Sequence, residues 1–198
     1  MKYLTPKQKK FYDDNGYVVI DILTDQEKDD LSKEYDQIFN AKDQAKLEGT
    51  WQGDWEGKKK KMEMKSIHSL QMHSAFFTRL LLNDKLLDTC EDVMDTPNIL
   101  LHHTKAHTKP PGTGSPFPMH QIVIFSYLLV HGSYDNNSDR IRRMFLIQLM
   151  SAEDVPLTKV HVSECQEMAL RGRCLSRDAD IKRRHKEFVE EETVAKVV

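Results

Sequence analysis

The sequence predicts an α+β fold, and three observations carry that expectation. Helical signals dominate the first half of the chain, strand signals follow, and the two do not alternate as in a βαβ protein. No glycine fingerprint follows a strand and no phosphate loop occurs, which argues against the nucleotide-binding α/β folds. The 198 residues, 39% of them hydrophobic, suffice for one domain with its own core.

Residues 5–16, TPKQKKFYDDNG, predict a short helix. Thr5 can cap it, Pro6 suits its first position and Gly16 can end it. Residues 17–22, YVVIDI, have the β-branched content of a strand. A second helix opens at Thr24 with Glu27 three residues on, a capping-box pair. Leu31, Tyr35, Ile38 and Phe39 then recur at helical spacing, so one face of this helix is apolar. Residues 49–61, GTWQGDWEGKKKK, predict a surface loop or hairpin, with the lysine run in a solvated turn. Residues 62–70 alternate as a strand does. Residues 75–95 read as one broken helix or two short ones, with Leu86, Cys90, Val93 and Met94 on the apolar face. Cys90 is then a small core residue.

Residues 98–118 begin as a strand and end in a Pro/Gly-rich loop. Residues 122–132 and 142–151 are apolar, strand-like runs, and 156–172 holds a further short strand. From Asp178 the chain is highly charged, as a surface helix or tail is. The expected organisation is a single domain over 1–177 followed by a charged segment over 178–198.

Composition excludes several functions. A net charge of −2 offers no electrostatic case for nucleic acid or an anionic membrane. No apolar run reaches membrane-spanning length. The N-terminus lacks an apolar signal core and the C-terminus, AKVV, is not a peroxisomal address, so the expectation is a cytoplasmic protein. Cys90, Cys165 and Cys174 are odd in number and scattered, as reduced thiols are.

Five of the nine histidines, His102, His103, His107, His120 and His131, lie within thirty residues. Imidazoles bind divalent first-row metals, although any one histidine on a strand is more often a polar strand residue than a ligand. On a regular strand His103 and His107 share a face and His102 points the other way.

Four segments, LTPKQKKFYDDNGYVVIDILTDQEKDDL, HTKPPGTGSPFPMHQ, FSYLLVHGSYDNNSDRIRR and PLTKVHVSECQEMALRG, resemble the phytanoyl-CoA dioxygenase family over roughly residues 4–175. The resemblance implies N-terminal helices on a double-stranded β-helix, a jelly-roll or cupin-like core. It implies Fe(II) and 2-oxoglutarate, admits ascorbate as a reductant, and points to a lipid-derived, acyl or other small organic substrate. His120 matches the first metal ligand and His131 the distal one. Arg142 matches the arginine that pairs with the cosubstrate's far carboxylate, a role suited to a planar cationic fork. Ser133 matches a hydroxyl assisting it, Gln121 sits beside the first ligand, and Lys65 aligns with a cosubstrate-contacting lysine. Arg140 and Arg143 flank Arg142, so an exposed strand-end role for Arg142 stays open.

Against that pattern the chain departs in two ways. The family has an aspartate ligand two residues after the first histidine, where this chain has Ile122; the nearest later acids are Asp135 and Asp139. His120 and His131 are only eleven residues apart, where a complete double-stranded β-helix needs roughly forty-five for the strands between. An odd separation also puts both side chains on opposite faces of one unbroken strand, so a bulge or turn is required. An internal deletion after Gln121 explains both departures and predicts a full-length sister isoform. It also predicts unpaired sheet edges and N-terminal helices with little to pack against. Three functional readings follow. One is a 2-oxoglutarate-dependent hydroxylase yielding succinate, impaired at the metal. Another is a non-catalytic splice variant or interaction protein. The third is a histidine-based metal binder using His102, His103 or His107 with His120.

Overall fold

A computed structural model describes residues 1–41, 49–56, 59–109, 122–132, 136–139, 141–154 and 163–175. The first helix, α1 (Pro6–Asn15), is framed as its sequence predicts. The Thr5 hydroxyl accepts from the Gln8 N–H, the Gln8 side chain accepts from the Thr5 N–H, and Gly16 ends the helix at φ 76°. That left-handed conformation is the reason for glycine here. Strand β1 (Tyr17–Ile20) follows, then α2 (Asp25–Asn40) with the Thr24–Glu27 capping box formed. Strands β2 (Gly49–Glu56) and β3 (Lys59–His68) make an antiparallel hairpin. A 3₁₀ turn over Leu70–Met72 leads to α3 (Ala75–Leu81) and α4 (Asp84–Met94), split where Asn83 caps α4 by accepting from the Lys85 and Leu86 N–H groups. The remaining strands are β4 (Ile99–Lys109), β5 (Ile122–Phe125), β6 (Arg142–Ser151) and β7 (Met168–Arg171).

Two antiparallel sheets result. One has the order β2-β3-β4-β6, with β7 also paired to β4; the other joins only β1 and β5. The helices pack on this frame through two cores. Leu81, Leu87 and Cys90 of α3 and α4 meet Val18 and Ile20 of β1 and Ile99 and Leu101 of β4. Tyr35 and Ile38 of α2 and Phe77 of α3 meet Ile67 of β3, Ala106 of β4 and Phe145 of β6. The expectation that the helices have little to pack against is therefore overturned: β3, β4 and β6 supply a continuous apolar face. Cys90 is buried as expected, and burial pushes its thiol up to about 12, so it is inert at neutral pH.

The N-terminal residues are tied down by Asp92 of α4. Its buried carboxylate accepts from the N–H groups of Lys2 (2.7 Å), Tyr3 (2.9 Å) and Leu4 (2.8 Å). Burial opposes ionisation, but these three donors and the neighbouring amino terminus hold its pKa below the usual value.

Three element expectations are corrected. Within the lysine run, Lys59–Lys61 are not in a turn but open β3, in register with Glu56, Trp55 and Asp54 of β2; Lys58 lies outside the described residues. The strand expected over 62–70 ends at His68, where Ser69 turns the chain at φ 54°. The apolar run 122–132 is a strand only to Phe125, because its partner β1 is four residues long. Ser126 N–H still bonds the Gly16 carbonyl, and the chain then turns, with Leu129 N–H on the Ser126 carbonyl. No helix among the described residues is long and apolar enough to cross a membrane. The charged segment 178–198 lies outside the described residues.

Candidate metal and cosubstrate site

Of the residues expected to hold metal and cosubstrate, His120, Gln121 and Ser133 lie outside the described residues, as does Asp135. His131, Arg142 and the backbone of Lys65 lie within them.

His131 follows the turn after β5. Its Nδ1 lies 2.8 Å from the Leu129 carbonyl, which can only accept, so Nδ1 carries the proton. That leaves the Nε2 lone pair as the donor to a metal, the tautomer that a backbone carbonyl commonly imposes on a ligating histidine. The ring rests against Phe125 with centroids 4.7 Å apart. The turn at Ser126–Leu129 breaks the strand before His131.

The position of the expected carboxylate is occupied differently. Ile122 opens β5 opposite Ile20 of β1 and packs against the core shared by β1 and α4. An aliphatic side chain has no lone pair to give a metal, and this one is committed to the core. Asp139 is exposed. Among the described residues no three His, Cys, Asp or Glu side chains converge as a metal site. Of a two-histidine, one-carboxylate set, the described residues hold His131 and, in place of the carboxylate, Ile122; His120 and Asp135 lie outside them.

The five-stranded sheet has two unlike faces. Ile67, Ala106 and Phe145 face the helices, and Arg143 also points that way, with its Nε 2.6 Å from an Asp36 oxygen in α2. Alternation puts Ser66, His68, Lys105, His107, Met144 and Arg142 on the other face. Register brings them into rows: Ser66 beside His107 beside Met144, and His68 beside Lys105 beside Leu146. Arg142 sits opposite Lys109 at the end of the ladder. Burial, then the charges of Lys105 and His68, push His107 down to about 4, so it is neutral at pH 7. This face can supply cationic and neutral hydrogen-bond donors to an anion. Lys65 is the residue that the β2–β3 register skips, the extra residue of a bulge between the pairs Thr50–Ser66 and Trp51–Met64.

His68, Lys105 and Ser66 were not singled out from the sequence. Lys105 stands two residues before His107, so period-two alternation alone could have found it. His68 joins only through the pairing of β3 with β4.

The expected opposition of His102 and His103 is also overturned. The β4–β6 register passes from Leu101–Leu149 to His103–Gln148, leaving His102 as the extra residue of a bulge. The bulge cancels the alternation and turns the two rings toward each other. Their Nδ1 atoms are 2.7 Å apart and their ring centroids 4.9 Å apart.

Comparison with known proteins bears on this arrangement. The family model described as phytanoyl-CoA dioxygenase (PhyH) matches residues 12–122, more than half of the chain. The match stops at Ile122, the junction at which the sequence departs from the family pattern. No curated protein matches the sequence. Among solved structures, the chain is similar to the non-heme alpha ketoglutarate dependent epimerase SnoN from nogalamycin biosynthesis. That similarity has 13% identity and a TM-score of 0.60, and covers 83% of this chain and 98% of that one. It is similar to EvdMO1 at 14% identity and a TM-score of 0.58, over 72% of this chain and 49% of that one. With EctD from S. alaskensis, solved with bound Fe, identity is 18% and the TM-score 0.46, over 57% of this chain. The chain spans 39% of the length of that EctD chain. The likenesses to SnoN and EvdMO1 concern the fold, a mixed arrangement of helices and antiparallel sheet.

Proposed function

Because the chain belongs to the phytanoyl-CoA dioxygenase family, we propose that it is an Fe(II)- and 2-oxoglutarate-dependent dioxygenase homologue impaired at the metal but still able to hold the cosubstrate. The family's reaction class couples hydroxylation of a lipid-derived or small organic substrate to decarboxylation of 2-oxoglutarate to succinate. The two sheets are the incomplete halves of a double-stranded β-helix, within one domain over 1–177. The end of the family match at residue 122 supports an internal deletion there. A full-length sister isoform would carry an aspartate directly after Gln121. Sequencing transcripts across the junction tests this, and finding no longer form would sink it.

One observation carries the impairment: Ile122 is held in register against Ile20 where a ligating carboxylate is needed. Two neutral imidazoles, His120 and His131, leave the charge of a divalent ion without a carboxylate to offset it. The cosubstrate side rests on Arg142. Arg142 supplies the guanidinium for a distal carboxylate on the sheet face away from the helices, with Ser133, Gln121 and Lys65 assigned to the same ligand.

The test is to add Fe(II) and then 2-oxoglutarate to anaerobic protein and record the visible spectrum. The expected result is no charge-transfer band, together with calorimetric binding of 2-oxoglutarate that Arg142→Ala abolishes. A band that disappears in His131→Ala would show that the centre assembles without a carboxylate and overturn the impairment.

A further inference from the structure

We propose that the β4 bulge holds a second metal site, a two-histidine chelate for a divalent first-row transition ion formed by His102 and His103. Consecutive strand residues normally point to opposite faces, so neighbouring histidines on a strand do not chelate one ion. Here the extra residue removes that obstacle, and both Nδ1 atoms converge to 2.7 Å. At that separation one Nδ1 must carry a proton and the other a lone pair.

Two nitrogens bound to one ion at 2.0–2.1 Å lie about 3.3 Å apart in tetrahedral geometry and about 2.9 Å apart in octahedral geometry. From 2.7 Å the pair therefore needs to open by about 0.2 Å for octahedral and about 0.6 Å for tetrahedral geometry, within the reach of side-chain rotations. On binding, the proton between the rings moves to Nε2 of its own imidazole. Both rings stay neutral and both Nδ1 lone pairs face the ion.

The bulge is braced from outside β4. Ser163 donates to the His102 carbonyl at 2.8 Å, and the Glu167 N–H donates to the Leu101 carbonyl at 2.8 Å. Both rings are half-buried, which limits their motion before the ion arrives. Imidazole donors select Zn²⁺, Ni²⁺ or Cu²⁺ over Mg²⁺ or Ca²⁺, and water completes the coordination. The site uses neither His131 nor Arg142, although His103 alternates onto the same sheet face as Lys105 and His107.

Zn²⁺ titrated calorimetrically into full-length His131→Ala protein isolates the site. One equivalent is expected to bind. Affinity should fall at least about tenfold when His103→Gln is added, and at least as far with His102→Gln. Glutamine keeps a hydrogen-bonding side chain at each position, and far-UV circular dichroism checks that each variant folds. Failure of His131→Ala to bind Zn²⁺ would overturn the proposal. So would unchanged affinity in a folded His102→Gln/His103→Gln double variant.

Discussion

The helix-backed face of the five-stranded sheet and the β1–β5 ribbon are built from similar residues but reach different degrees of closure. Ile67, Phe77, Leu101 and Ala106 are fully buried between sheet and helices. Along β5 every residue is only half-buried, and Tyr127, Leu128 and Val130 beyond it stand almost fully in solvent. The first region lies mainly within the part of the chain that matches the family. The second is assembled across residue 122, where the match ends. Apolar sequence alone does not make a core: a strand is buried only as far as partners cover it, and β1 offers β5 four residues.

That contrast can be broken at its strong side first. Phe77→Ala empties a fully buried site and is expected to cost about 3–5 kcal/mol in urea unfolding. A loss under 1 kcal/mol would mean that α3 does not hold the sheet as described. Asp92→Ala comes next, at about 2–3 kcal/mol, because three backbone N–H groups lose a buried acceptor. Since the folded pKa of Asp92 is depressed, its contribution is present above the ordinary aspartate pKa and fades as pH falls through the lowered value.

His107 sharpens the comparison from the sheet's other face. Its folded pKa of about 4 lies below the ordinary 6.5. Between those values the unfolded chain takes up a proton that the folded chain refuses. Stability is thus whole above pH 6.5 and declines as pH falls toward 4, a slope that His107→Gln should flatten. Unfolding curves at half-unit pH steps measure it. The smallest effect belongs to the ribbon: Val130→Ser should change stability by less than about 0.5 kcal/mol. A loss above 1 kcal/mol would show that this exposed turn is covered in solution.

Much of the fold was legible in local chemistry. Thr5, Thr24 and Gly16 announce helix ends because caps depend on nearest neighbours, and Cys90 falls on the buried face that its spacing predicts. What failed depends on partners far along the chain. No local pattern marks the bulge at His102, which is defined by its register against β6, nor the early end of β5, set by the length of β1. The same division holds at the site. His131 and Arg142 stand out as motif residues, whereas His68 reaches the row beside Lys105 only when β3 pairs with β4.

The pairing of Ile20 with Ile122 also sets an order of events during synthesis. Roughly a hundred residues separate the two strands. At about 5–20 residues per second, β1 waits on the order of 5–20 s on the ribosome for its partner. Leu4 waits almost as long for Asp92. Throughout that interval the edge of YVVI that pairs with β5 stays open, to chaperones or to the same segment on a neighbouring nascent chain.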